Sequence, residues 1–174
     1  MKFGPANQIT LVRAALVAGL ASFTGRPATP IVAWGAVFIA IIAALLDGVD
    51  GWVARRTGTV SAFGTRFDME TDAALILVLS ILVWQYGKAG PWVLLSGLLR
   101  YAFIAAGWLW AWMRGSLVST LRAKVICVAQ IVALIVAMAP VMERPASGVV
   151  AAVGLLALSY SFLVDTLRLW RGTQ

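Results

Sequence analysis

Residues 31–46 read IVAWGAVFIAIIAALL, sixteen consecutive positions without a charge, and Asp47 and Asp50 follow directly. A membrane-crossing helix takes about 20 residues, so this run needs only a short continuation into its flanks to span a bilayer. The remainder of the chain has the same character. Of its 174 residues, 61% are hydrophobic and 12% are charged, against roughly 45–50% and about 25% in soluble domains. That composition leaves too little polar surface for a water-soluble globule.

Five further apolar stretches cover about residues 9–23, 73–86, 91–113, 125–142 and 148–167. The segments between them, 24–30, 51–67, 87–90, 114–124 and 143–147, are rich in Pro, Gly and polar residues that end helices. The pattern predicts an all-α polytopic membrane protein with six transmembrane helices, forming a single domain over residues 1–174. The first and third stretches reach spanning length only if their helices continue into the adjoining polar segments. Lys and Arg set the orientation. Lys2, Arg13, Arg55, Arg56, Arg66, Arg114, Arg122, Lys124, Arg168 and Arg171 would share one side, against Arg26, Lys88 and Arg144 on the other, with Arg100 inside the fourth stretch. This asymmetry predicts a multi-pass protein of the cell inner membrane with both termini cytoplasmic. Trp84, Trp92, Trp108, Trp110, Trp112 and Trp170 fall toward stretch ends, as interfacial anchors do. The first stretch has a basic start, but Arg13 interrupts it and the small-residue cleavage pattern is poor, so it reads as a retained helix.

The chain has no His and one Cys, Cys127, which excludes a disulfide within the chain, a Cys zinc cage and His-based acid–base chemistry. Five of its seven acids fall between Asp47 and Asp72, in LDGVDGWVARRTGTVSAFGTRFDMETDA (residues 46–73). On helices, Asp47 and Asp50 share a face by their spacing of three, and Asp68 and Asp72 by their spacing of four. Carboxylates crowded at a membrane boundary call for a cation, and an all-oxygen donor set selects a hard divalent ion, Mg²⁺ or Mn²⁺. Gly48, Gly51, Ala54, Gly58, Ser61, Ala62 and Gly64 strip bulk from the same stretch, while Arg55, Arg56 and Arg66 supply phosphate-pairing charge. Carboxylates, a metal and arginines around bare backbone describe a diphosphate site. An EF-hand does not fit, because DGVDG lacks the third oxygen ligand and the closing Glu.

Asp47, Asp50, Gly51, Ala54, Arg55, Gly64, Asp68 and Asp72 reproduce the spacing D-x2-D-G-x2-A-R-x8-G-x3-D-x3-D, and the chain thereby resembles the CDP-alcohol phosphatidyltransferases. Asn7, Thr10 and Arg13 resemble that family's N-terminal P-N-x-x-T-x-x-R element, with Ala6 in place of its Pro. The resemblance implies that Asp47, Asp50 and Asp68 bind one or two divalent cations. Asp72 would complete the site and act as the base that deprotonates the acceptor alcohol. Asn7, Thr10, Gly51, Ala54, Arg55 and Gly64 would line the pocket for the cytidine nucleotide and its diphosphate, with Ser61 among the small residues beside them. The expected donor is CDP-diacylglycerol, the product CMP, and the active form a homodimer.

A phosphorylated acceptor is expected from the cations outside the signature. Arg100 lies inside an apolar stretch, where a charge is costly and marks a functional position. Arg122, Lys124 and Gln130 follow in LRAKVICVAQ. Lys124, Cys127 and Gln130 resemble the K-x-x-T-x-x-Q pattern of the phosphatidylglycerophosphate and phosphatidylinositol-phosphate synthase branches, with Cys127 at the hydroxyl position. Glycerol 3-phosphate is the favoured acceptor, and inositol phosphate or serine stays open. Glu70 reads as a surface residue, Cys127 as an apolar filler, and Asp165 as a local partner of Arg168 at i+3. An intramembrane prenyltransferase, a transporter and a catalytically silent family member are the competing readings. Nucleic acid is not an expected partner, because the net charge of +7 is divided by membrane side and forms no single basic face.

Overall fold

The computed structural model describes residues 5–58, 61–109 and 121–171. Lys2, Trp110, Trp112 and Arg114 lie outside the described residues, as do the side chains of Ala6, Arg55 and Arg171. The helices are α1 (Pro5–Ala21), α2 (Pro30–Thr57), α3 (Ala62–Gln85), α4 (Leu95–Leu109, entered through a 3-10 turn at Pro91–Leu94), α5 (Leu121–Met138) and α6 (Ala146–Arg171).

The all-α expectation holds, and the number of spans does not. Among the described residues four segments are long and apolar enough to cross a membrane: Pro30–Ala54, Pro91–Leu109, Leu121–Met138 and Ala146–Trp170. Six transmembrane helices are therefore corrected to four. The apolar part of α1 is only Asn7–Ala21, about 22 Å at 1.5 Å per residue, short of a hydrocarbon core of roughly 30 Å. In α3, Arg66, Asp68, Glu70 and Asp72 occupy the first half, so only its second half is apolar.

The segment read as a break, 51–67, is mostly helix. Helix α2 runs on to Thr57, where Gly58 adopts φ 63° and its N–H bonds to Ala54 O. That left-handed cap requires glycine and turns the chain sharply. Ser61 then caps α3, its Oγ accepting from Gly64 N at 3.0 Å. The two signature segments thus form one helical hairpin, and each aspartate pair lies well inside its helix.

One pattern explains how α1, α2 and α3 pack. On α2 the buried positions Ala33, Ala36, Ala40 and Ala43 continue at the same three- and four-residue steps into Asp47 and Asp50, which are also buried. On α3 the stripe runs Asp68, Asp72, Leu75, Leu79, Leu82, and on α1 it runs Asn7, Thr10, Arg13, Val17, Leu20. Each inward face is polar at one end and apolar at the other, and the alternating chain direction brings the three polar ends to one level. Apolar ends and α5 form the core, including Leu20, Ala40, Leu79, Val83, Leu134 and Met138.

The far end is tied by loop contacts. Gln85 Nε2 donates to Arg26 O at 2.7 Å and Gln85 Oε1 accepts from Gly25 N at 2.8 Å, while Lys88 Nζ donates to Met142 O at 2.7 Å and Ser147 Oγ to Lys88 O at 2.7 Å. Helix α4 crosses α3 at Gly97, where an added Cβ would lie 2.5 Å from Leu77 Cα. Backbone cannot yield as a side-chain tip can, so Gly97→Ala should lower the thermal midpoint in detergent by several degrees, as overpacking costs about 1–3 kcal/mol. Gly19→Ala, where a Cβ meets nothing within 4 Å, should not. Equal midpoints for the two variants would refute the close crossing.

Candidate active site

The polar ends of the three stripes meet around Arg13. Its side chain is 0% exposed, and the guanidinium contacts all four signature aspartates: Nη1 lies 2.8 Å from Asp50 Oδ2 and 2.6 Å from Asp68 Oδ1, and Nη2 lies 3.1 Å from Asp47 Oδ1 and also bonds to Asp72 Oδ1. Nε donates to Ala43 O at 3.3 Å. Thr10 Oγ1 adds a bond to Asp50 Oδ2 at 3.0 Å. Arg13 was expected only as a motif residue and a topology charge, and the structure corrects this by placing it at the centre of the cluster. The sequence signal was available in the α1 stripe, where Arg13 interrupts an apolar stretch in register with Val17 and Leu20.

The donor chemistry fits a hard divalent cation. Asp47, Asp50 and Asp68 each offer an oxygen, all within 4.8 Å of one another. Asp47 Oδ1 is buried with no hydrogen bond, although it sits beside Arg13. A buried carboxylate oxygen left unbonded is costly unless something accepts its charge. Outside the four apolar spans, burial pushes the Asp72 carboxyl up to about 7, with the Asp47 charge adding to the shift and Arg13 opposing it. Burial likewise raises Asp68, against Arg13 and Lys124. A cation bound beside them would favour their ionised forms.

The expected nucleotide residues gather around the hairpin. Asn7 and Thr10 are buried, and Gly51 and Ala54 are half-buried on α2. Gly64 has a specific reason to be glycine, since a Cβ there would lie 2.6 Å from Asn7 Oδ1 and 3.1 Å from Ser61 Oγ. Ser61 itself serves as the α3 cap. The Arg55 side chain lies outside the described residues.

Beside the carboxylates, α3, α4, α5 and α6 enclose a cavity of about 180 Å³ lined by Asp68, Asp72, Ser96, Arg100, Lys124, Cys127, Ser161 and Asp165, among others. Of the four expected acceptor residues, Arg100 and Lys124 are on its wall. Arg122 and Gln130 sit behind it. Arg122 Nη2 bonds to Asp165 Oδ1 at 2.5 Å, so Asp165 pairs across helices, where a local pair with Arg168 was expected. Gln130 is fully buried and donates to Ser96 Oγ at 3.0 Å. Arg100 Nη2 pairs with the half-exposed Glu70 at 2.5 Å. The Nε atoms of both Arg100 and Arg122 are buried without a hydrogen bond.

The family model for CDP-alcohol phosphatidyltransferase matches residues 4–163. The chain is also 28% identical over 95 residues to a CDP-diacylglycerol–glycerol-3-phosphate 3-phosphatidyltransferase of Cereibacter sphaeroides. That match covers 55% of this chain and 43% of the relative, so it spans less than half of the relative's length.

Mn²⁺ titrated into detergent-solubilised protein and followed by electron paramagnetic resonance should bind. Asp47→Asn and Asp68→Asn should each weaken that binding about tenfold or more, the scale of losing one charged ligand interaction. Glu143→Gln, at the other end, should not. Unchanged Mn²⁺ affinity in both Asp variants would remove the cluster as a metal site.

Proposed function

The chain belongs to the CDP-alcohol phosphatidyltransferase family, and on that premise we propose that it moves a phosphatidyl group from CDP-diacylglycerol to a small phosphorylated alcohol, glycerol 3-phosphate, with release of CMP. The observation that carries this reading is the junction of two chemistries in one cavity. Two aspartates of the carboxylate cluster form one wall, and Arg100 and Lys124 stand on the same lining. The printed activity of the Cereibacter sphaeroides relative supports the choice of acceptor.

Asp47, Asp50 and Asp68 would hold one or two divalent cations, Mg²⁺ or Mn²⁺, with Asp72 completing the set. Bound there, the metal supplies neutralisation of diphosphate charge. Asp72 accepts the proton of the acceptor hydroxyl as that oxygen forms its bond to the lipid-side phosphorus. The bond from that phosphorus to the bridging oxygen breaks, and CMP leaves with the electron pair. Arg100 and Lys124 hold the acceptor phosphate, with charge-assisted bonds at the guanidinium and ammonium. Arg122 and Gln130 act one layer back, fixing Asp165 and Ser96 on the wall. Asn7, Gly51, Ala54, Ser61 and Gly64 surround the nucleotide, Thr10 orients Asp50, and Arg55 joins the nucleotide set on the family resemblance.

The site lies at the end of the bundle that carries the α2–α3 turn, opposite the loops bearing Arg26, Lys88 and Arg144. With the Lys and Arg asymmetry, this supports a cytoplasmic site in the inner membrane. A single domain and a homodimer complete the proposal, the latter on the family resemblance alone.

Purified protein with CDP-diacylglycerol, Mn²⁺ and a panel of alcohols should release CMP with glycerol 3-phosphate. Asp72→Asn should lower kcat by about 10²–10⁴-fold, as loss of a general base does. Lys124→Ala should raise the KM for glycerol 3-phosphate about tenfold while sparing that for the CDP-lipid, because a hydrogen bond to a charged group is worth about 1.5–3 kcal/mol. Absence of CMP with every acceptor would overturn the transferase reading, and equal KM changes for both substrates would overturn the role of Lys124.

A further inference from the structure

Four carboxylates and one guanidinium share the polar ends of α1, α2 and α3, giving the cluster a formal charge of −3 when all are ionised. Asp47 and Asp50 are nearly fully buried, and Arg13 is completely so. Among the described residues no other cation forms an ion pair with these carboxylates, so without Arg13 the α2 and α3 acids would face one another as uncompensated buried charges, a strongly unfavourable arrangement. Arg13 reaches the cluster from a different helix, and its Nε is anchored separately on Ala43 O. The fork is thus held in place by backbone as well as by the acids it serves.

We propose that Arg13 is the resident counter-ion of the cluster, the charge that keeps Asp47, Asp50, Asp68 and Asp72 packed together when no divalent cation is bound. Its role is positioning. It orients both oxygen-bearing walls of the metal site and offsets their mutual repulsion within the apolar bundle before a cation binds. The inference rests on the metal-site part of the function proposed above and is independent of transfer activity.

A double-variant cycle tests it, read as thermal midpoints from intrinsic tryptophan fluorescence in detergent, with excess EDTA or excess Mn²⁺. In EDTA, Arg13→Gln should lower the midpoint by about 10 °C or more, as breaking a buried ion network does. Mn²⁺ should raise the midpoint of this variant by several degrees more than it raises that of the wild type, because only the variant lacks an internal cation. The deciding quantity is the effect of Asp72→Asn in EDTA, compared between the two backgrounds. It should raise the midpoint of the Arg13→Gln background, where it removes an uncompensated repelling charge, by several degrees more than that of the wild type, where it also removes a partner of Arg13. An equal or smaller gain in the Arg13→Gln background overturns the proposal. If Arg13→Gln alone yields no monodisperse protein, recovery of such protein in the Arg13→Gln/Asp72→Asn double variant supports it, and failure of both in Mn²⁺ overturns it. Should Mn²⁺ move no midpoint in any of the four proteins, the metal site fails, while the difference in the Asp72→Asn effect between the two backgrounds still decides for or against Arg13.

Discussion

A guanidinium among four carboxylates, enclosed by three helices, sets the constraint to which the other elements of this bundle conform. Arg13 directs its N–H groups at Ala43 O and at carboxylates of both α2 and α3. In a region of low dielectric, each of those ions is costly if its partner is displaced. Sliding α1 by one turn, about 5.4 Å, would strip the cluster of its cation and set a charge against the alanine stripe of α2. The axial register of α1, α2 and α3 is therefore fixed by electrostatics at one end, and the apolar stripes fill in behind it. That the alanines of α2 share a face with Asp47 and Asp50 is what allows α1 to come close enough for Arg13 to reach.

The remaining helices have a different task. Helices α4, α5 and α6 close the cavity beside α3 through close contacts, Gly97 of α4 against Leu77 of α3 and Ser96 of α4 against Gln130 of α5. At the opposite end, Gln85, Lys88 and Ser147 join the loops through main-chain oxygens and nitrogens. Rigid ties far from the chemistry leave the hairpin end free to be built around charge. The division matches the stripes, which are apolar where the loops are tied and polar where the cluster sits.

The helical class and the acidic site were legible in the sequence because both depend on local spacing. Asp47 and Asp50 three apart, and Asp68 and Asp72 four apart, share faces whatever the rest of the chain does. The number of spans was less legible, since it depends on where the helices begin and end: the apolar part of α1 is too short to cross, and α3 carries four charges in its first half. Pairings across helices were not legible at all. Nothing local in LRAKVICVAQ indicates that Arg122 reaches Asp165, or that Gln130 turns to Ser96 and not into the cavity. Arg13 lies between these cases. Its stripe with Thr10 and Val17 was readable, but its four partners come from two other helices.

The cavity shows the same economy of charge as the cluster. Arg100 and Arg122 are already engaged by Glu70 and Asp165, while each keeps a buried Nε without a hydrogen bond. Lys124 stands on the wall near enough for its charge to oppose the raised pKa of Asp68. An anion that pairs with either arginine must displace its carboxylate or share it. Glu70, half exposed, gives up Arg100 to a phosphate at little desolvation cost, whereas Asp165 is far less exposed and holds Arg122 in place. On the proposed reading, recognition of a phosphorylated acceptor therefore depends on an exchange of partners at Arg100, backed by the standing charge of Lys124 and a wall kept rigid by Arg122 and Gln130.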